Sequence, residues 1–99
     1  MEREEINLVK RMAAGDIGAG NKLFDLYDKK LDDYCTDLLG GYRWGAEFVS
    51  CDVWTEFEKK IKTMREHDYD LYEDVWSILS EIADKLCEYA GVVEEGDSY

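Results

Sequence analysis

Residues 12–27 read MAAGDIGAGNKLFDLY, with three glycines inside six positions. A phosphate-binding loop would need a strand before its glycines and a Lys-Ser or Lys-Thr pair after them. Here an amphipathic helical pattern precedes the glycines, and Asn21-Lys22-Leu23 follows them. Gly15 instead suits the left-handed position that ends a helix, and Asp16 suits the N-cap of the next helix. The stretch therefore predicts a junction between two helices.

The same helical spacing continues along the rest of the chain. Apolar residues recur at intervals of three and four, and no stretch alternates with period two for long enough to form a strand. Gly40-Gly41 predicts the end of the second helix, and the third helix is expected to begin near residues 44–46. A polar connection at residues 65–70 then precedes a fourth helix whose first apolar residue is Leu71. We expect an all-α fold, a compact four-helix bundle with a short first helix.

Length and composition indicate one domain. Ninety-nine residues, 45% of them hydrophobic, are enough to build a modest core. We expect a single helical domain at 1–91 and an acidic, flexible tail at 92–99. No apolar run reaches the roughly 20 residues that cross a bilayer, and the acidic N-terminus is unlike a secretory signal. We therefore expect a cytoplasmic protein without membrane contact.

The three cysteines are widely spaced and form no Cys-x-x-Cys pair. Each of them stands beside apolar neighbours in the helical pattern. Such cysteines behave as small apolar side chains in a core. The pattern predicts buried, reduced thiols at Cys35, Cys51 and Cys87.

Charge is unevenly distributed along the chain, whose net charge is −12. Residues 1–40 carry nine acidic and six basic side chains, a net −3, and residues 41–65 carry four acidic and five basic ones, a net +1. Residues 66–99 carry eleven acidic side chains and one basic side chain, a net −10. Such a surface repels nucleic acids, because non-specific binding depends on neutralising phosphates. We therefore expect no direct contact with nucleic acid.

Few residues could support catalysis or metal binding. His67 is the single histidine, so every nucleophile–base scheme and every histidine-containing zinc site would depend on it. The acidic residues that follow it lack the Gly at position six and the Glu at position twelve of a calcium loop. We expect a protein that is not an enzyme, with no metal site and no cofactor.

With the helices placed, the chain resembles region 2 of the sigma-70 family, in particular the extracytoplasmic-function type. The sequence pattern of that family is Leu-Val, a short spacer and Gly-Asp, followed after two residues by Ala. After three more residues come Leu-Phe or Leu-Tyr, and a further aromatic stands three residues later. This chain has Leu8-Val9, Gly15-Asp16, Ala19, Leu23-Phe24 and Tyr27 in that register. The resemblance implies a sigma region 2-like fold in a protein of a bacterial cell, encoded by the cell or by a phage.

The likeness continues to about residue 90. Leu38-Leu39-Gly40 is similar to the helix end of the family, and the stretch from Ala46 to Trp54 resembles its next helix, which reads Ala-Glu-Asp and then alternates apolar and polar pairs. Tyr72 to Tyr89, with Trp76 and Ile82-Ala83, is similar to its last helix. The resemblance implies that the helix at 46–57 docks on the clamp helices of RNA polymerase.

The chain departs from the family at both functional surfaces. Phe48, with Ser50 or Cys51, stands where the family docks with an Asp and a Gln, although Glu47 and Asp52 remain. The family faces promoter DNA with the segment that carries a net −10 here, and no segment resembles its helix-turn-helix domain. We therefore expect a protein-binding module that acts on the transcription machinery or on a regulator of it. The expected partner-binding residues are Tyr42, Trp44, Glu47, Phe48, Asp52 and Glu56.

Alternatives remain open. The aromatics of the loop at 42–44 could fold back as a lid over the helix ends instead of meeting a partner. The acidic last third could imitate DNA, as in an anti-CRISPR or another phage or mobile-element inhibitor of a DNA-binding protein. A further alternative is a small acidic structural protein that forms homo-oligomers through its aromatics. The residues of the expected mimic face are Asp68, Asp70, Glu73, Asp74, Glu81, Asp84 and Glu88.

Overall fold

The computed structural model describes the backbone of residues 1–97 and the side chains of residues 1–88. No strand occurs in that backbone, which confirms the predicted all-α class. The finer prediction, a four-helix bundle of sigma region 2 type, stays a prediction. The helices of the described backbone are α1 (Arg3–Ala13), α2 (Ile17–Leu38), α3 (Arg43–Thr63), a 3₁₀ helix (Glu66–Leu71) and α4 (Val75–Asp97).

The junction between α1 and α2 has the predicted chemistry. Gly15 adopts a φ of 97°, and its N–H donates to the carbonyl of Met12 at 3.0 Å. The carboxylate of Asp16 accepts the N–H of Ala19 at 3.1 Å and the guanidinium Nε–H of Arg11 at 2.9 Å. The Ala19 N–H, and then Arg11, hold the pKa of Asp16 below its ordinary value. The glycine stretch is therefore a helix stop and a helix cap, as predicted.

The predicted end of α2 is also confirmed. Gly40 and Gly41 have φ angles of 67° and 93°, and the N–H of Gly41 donates to the carbonyl of Thr36 at 2.8 Å. A left-handed backbone here satisfies carbonyls that the helix end would otherwise leave without donors. After this turn α3 begins at Arg43, one residue before the predicted start.

The predicted polar connection between the third and fourth helices forms the 3₁₀ helix. Asp68 starts it, because its carboxylate accepts the backbone N–H of Arg65 at 2.7 Å. Tyr69 holds it in place by lying in the core, where burial raises the pKa of its hydroxyl. Lys10 of α1 lies 5.5 Å from the centre of the Tyr69 ring and forms an ion pair with Glu66 at 2.6 Å. A short segment of polar sequence is thus ordered by one buried aromatic.

The prediction that the fourth helix starts with Leu71 is wrong. Leu71 ends the 3₁₀ helix with 75% of its surface exposed, and α4 begins at Val75. Asp74 sets this start, because its carboxylate accepts the N–H of Ser77 at 2.8 Å. The N–H of Val75 also donates to the carboxylate of Glu5 in α1 at 3.3 Å. Helical spacing alone therefore assigns this apolar residue to the wrong element.

The core lies between the α-helices, and α2 contacts the three others. A polar contact joins α2 to α3, since the buried hydroxyl of Ser50 donates to Asp32 at 2.8 Å. Among the described side chains, the largest that are fully buried are Val9, Leu23, Leu31, Cys35, Val53, Phe57, Ile61, Val75, Ile78 and Leu79.

Two of the three cysteine predictions are confirmed. Cys35 of α2 and Cys87 of α4 are buried, and burial raises the pKa of the Cys87 thiol to about 12. Cys51 is exposed, so the prediction of a buried thiol there is wrong. Apolar neighbours in the sequence do not determine whether a residue lies on the buried or the exposed side of its helix. Cys51 lies three positions after the exposed Phe48 and therefore shares its outward side of α3.

The predicted boundary at residue 91 falls within α4, whose described backbone runs to Asp97. The side chains from residue 89 onward, and residues 98–99 entirely, lie outside the described residues. The division into a domain at 1–91 and a tail at 92–99 stays a prediction. Within the described part of the chain, no helix has both the length and the apolar character that crossing a membrane requires.

Candidate protein-binding site

The first two turns of α3 expose a pair of large aromatic side chains. Trp44 is 64% exposed and Phe48 is 61% exposed, although both are large apolar groups. They lie four positions apart on one helix, so their side chains are neighbours. Their ring centroids are 5.5 Å apart at an interplanar angle of 80°, an edge-to-face contact. The pair forms one continuous apolar projection on the molecular surface.

Tyr42 extends this projection at the N-terminal end of α3. Its ring lies against Gly45, where the Cβ of any larger residue would come within 2.6 Å of the ring carbon Cδ1. A glycine at position 45 therefore allows the ring to rest on the helix. Tyr42 keeps 54% of its surface exposed in this position, so it rests on its own helix while Trp44 and Phe48 project outward. The nearby ion pair between Arg43 and Asp33, 3.8 Å long, connects this first turn to α2.

The exposed aromatics begin a longer line of residues on α3. Phe48 is followed by Cys51 and Thr55, at intervals of three and four, and all of these residues are exposed. Spacings of four, three and four place residues along one helix face, the pattern by which one helix packs on another. We call the line formed by Trp44, Phe48, Cys51 and Thr55 the α3 stripe.

The predicted acidic contact residues flank the α3 stripe. Glu47, Asp52 and Glu56 are all exposed, and Glu56 also pairs with Lys59 at 3.4 Å. Over its length α3 carries four acidic and four basic side chains and is therefore neutral. These eight residues are Glu47, Asp52, Glu56, Glu58, Arg43, Lys59, Lys60 and Lys62. All six predicted partner-binding residues are exposed on α3 or at its N-terminal end, with Glu47 on one flank of the α3 stripe and Asp52 and Glu56 on the other.

A cavity that was not predicted from the sequence opens beside the C-terminal end of the stripe. It has a volume of about 350 Å³, and the turn at Gly15 and Asp16 forms part of its wall. Ile17, the first residue of α2, is 79% exposed and lines it. The sequence signal that could have indicated this cavity is Ile17, an apolar residue that does not belong to the buried stripe of α2. The cavity joins α1, α2 and α3 through Met12, Ile17, Phe24, Trp54, Thr55 and Glu58.

Three of the predicted mimic residues lie together on α4. Glu81, Asp84 and Glu88 are spaced at three and four positions, which places them on one helix face. Glu81 is paired with Lys85 at 3.6 Å, and Asp84 accepts a hydrogen bond from the hydroxyl of Tyr34 at 2.5 Å. Only part of this face is therefore free of an intramolecular contact.

The other four predicted mimic residues precede α4. Asp68 and Asp74 are half-buried and cap the 3₁₀ helix and α4, whereas Asp70 and Glu73 are exposed. The predicted set therefore includes two caps whose carboxylates are occupied by backbone N–H groups. A half-buried carboxylate that orders a helix start serves stability first.

His67 is exposed on the 3₁₀ helix, 3.3 Å from Asp68. Among the residues whose side chains are described, no group of three or more His, Cys, Asp and Glu comes together as metal ligands would. No protein-family model, curated protein or solved structure matches this chain.

Proposed function

We propose that this chain is a non-catalytic protein-binding module with a sigma region 2-like, four-helix fold. It acts on the transcription machinery, or on a regulator of it, without binding DNA itself. The observation that carries the proposal is the exposed pair of Trp44 and Phe48 on the outer side of α3. Aromatic residues and arginine are enriched at protein interfaces, where a few such groups supply most of the binding energy.

The proposed partner surface is the clamp helices of RNA polymerase. The resemblance to sigma region 2 assigns this docking to the helix that corresponds to α3. Of the two residues that could occupy the family's Gln position, Ser50 is buried and bonded to Asp32, whereas Cys51 is exposed on the α3 stripe. The docking face proposed for this chain therefore uses an aromatic pair and a thiol where the family uses polar groups.

Charge supports the absence of direct DNA binding. The segment that would face DNA in the family carries eleven acidic side chains and one basic one. Affinity for a duplex comes mainly from neutralising phosphates and releasing counterions, which this segment is unable to do. Like charges across an interface cost several kcal/mol. The proposed module reaches promoters through its protein partner.

DNA mimicry is the alternative, and the shared face of Glu81, Asp84 and Glu88 favours it. Seven residues of helix span roughly 10 Å at about 1.5 Å per residue. Three charges along that length are separated by roughly 5 Å on average, about a third of the charge density of a duplex, which has one charge per about 1.7 Å of its axis. Asp84 and Glu81 also have partners within the chain. Protein contact through α3 is therefore the better-supported proposal.

A pull-down with purified RNA polymerase core enzyme tests the proposal. Wild-type protein should be retained, and the double variant Trp44→Ala/Phe48→Ala should lose at least about 2 kcal/mol of binding, roughly 30-fold in Kd. Leu71→Ala is the matched control, because Leu71 is also an exposed large apolar residue but lies on the 3₁₀ helix. Unchanged retention of the double variant would contradict docking through α3. Loss of binding in Glu81→Lys/Glu88→Lys, with the α3 variant unaffected, would favour mimicry.

A further inference from the structure

We propose that the cavity between α1, α2 and α3 binds a small arylalkyl ammonium ion, an aromatic ring on a short chain that ends in a protonated amine. The cavity measures about 350 Å³, within the range of roughly 300–1,000 Å³ that is typical of small-molecule sites. An apolar cavity of about 150 Å³ already holds benzene, so a ring with a short side chain fits here. Binding of such an ion needs no other protein.

Two aromatic side chains line the cavity. Phe24 of α2 and Trp54 of α3 lie with their ring centroids 5.4 Å apart, at an interplanar angle of 46°. The negative face of such a ring attracts a cation, and tilted aromatic contacts add to the gain from burying a ligand ring. Met12 and Ile17 complete the apolar lining, and Ile17 is 79% exposed. A bound ring would therefore remove apolar surface from water.

The charged side chains that line the cavity are acidic. They are Asp16 and Glu58, and the part of the chain whose side chains are described adds no lysine or arginine to the lining. Asn21 adds an amide, whose oxygen accepts hydrogen bonds. An ammonium group donates three hydrogen bonds and accepts none, so it matches these acceptors. The net charge of −12 also raises the concentration of cations near the surface.

The ammonium group would pair with Glu58. Asp16 already accepts the N–H of Ala19 and the Nε–H of Arg11, and as the N-cap it offsets the N-terminus of α2, which would otherwise favour an anion. Glu58 forms an ion pair with Lys62 at 3.1 Å, but both side chains of this pair are 52% exposed. Exposed pairs contribute little to stability, so Glu58 can exchange Lys62 for a bound cation.

Isothermal titration calorimetry of the purified full chain at pH 7 tests the ligand class. The probes share a phenyl ring and a short chain, and they are 2-phenylethylammonium, neutral 2-phenylethanol and anionic phenylacetate. The ammonium ion should bind with a Kd of about 1 mM, at least about 4-fold more tightly than the alcohol, and the anion should bind most weakly. Equal affinity for the alcohol, or no binding of the ammonium ion at about ten times that concentration, would overturn the proposal.

Two variants test the assigned contacts. Glu58→Gln should weaken binding of 2-phenylethylammonium about 2- to 5-fold and leave binding of the alcohol unchanged. Glu56→Gln is the matched control, because Glu56 is paired with Lys59 at 3.4 Å in the same way but lies on the other flank of α3. Phe24→Leu keeps an apolar wall without a ring, and should reduce the advantage of the ammonium ion over the alcohol about 2- to 5-fold. Wild-type affinities in Glu58→Gln would contradict the proposed pairing.

Nuclear magnetic resonance and a blocking variant locate the site. 2-Phenylethylammonium should shift the amide signals of Gly20 and Asn21, which line the cavity. Gly20→Leu should abolish binding, because a Cβ there meets Cγ of Met12 at an ordinary 3.5 Å and the larger side chain then occupies the cavity. Far-ultraviolet circular dichroism checks that this variant folds. Trp44→Ala/Phe48→Ala should bind the ion like wild type, so failure of polymerase docking leaves the site intact. Shifts confined to other amides, or normal binding by folded Gly20→Leu, would rule out this cavity.

Discussion

The hydroxyl of Tyr34 on α2 donates a 2.5 Å hydrogen bond to the carboxylate of Asp84 on α4. The Tyr34 ring also meets Trp76 edge to face, with centroids 5.3 Å apart. The Asp84 carboxylate, then burial, raise the pKa of Tyr34 to about 12 from an ordinary value of 10.0. A residue expected to belong to a mimic face therefore helps to join two helices.

This bond predicts how stability depends on alkaline pH. Because the pKa of Tyr34 is higher in the folded chain, its stabilising contribution is complete below about pH 10 and is lost as pH rises towards about 12. Asp84→Asn removes the negative charge, lowers the pKa of Tyr34 and should reduce that loss. Urea denaturation at several pH values measures it, with Glu88→Gln as a control on the same face of α4. Parallel pH profiles for wild type and Asp84→Asn would contradict the assignment.

The glycines of the opening stretch should respond in opposite directions to alanine. Gly15→Ala places a Cβ on a residue with a φ of 97° and should lower the free energy of unfolding by about 1–2 kcal/mol. Gly20 lies inside α2, and a Cβ there would be 3.5 Å from Cγ of Met12, an ordinary contact. Gly20→Ala should therefore raise the free energy of unfolding by about 0.5–1 kcal/mol. Chemical denaturation measures both, and equal effects would contradict the helix boundary.

The features that could be predicted from sequence are those with a local cause. Gly15 and Asp16 sit side by side and supply a helix stop and a cap through their own backbone and side-chain chemistry. The glycine pair Gly40-Gly41 does the same for α2. Neither feature depends on which helix packs against which. The all-α class follows for the same reason, since helical periodicity is a property of each segment.

The features that could not be predicted depend on tertiary contacts. Cys51 has the same apolar sequence context as Cys35, and only the orientation of α3 against the core makes it exposed. Leu71 fits the apolar spacing of the fourth helix, but the structure shows that Asp74 caps this helix, which begins at Val75. The cavity is assembled from three helices, so no single segment indicates it.

The cap at Asp74 changes how mimicry should be tested. Asp74→Lys would remove the acceptor of the Ser77 N–H and place a positive charge at the start of α4. We expect a loss of about 1 kcal/mol or more in the free energy of unfolding, whether or not a target binds. Glu88→Lys, on the exposed face, should change it by less than about 0.5 kcal/mol. Thermal denaturation of both variants checks this, and an equal loss would show that Asp74 is not a cap.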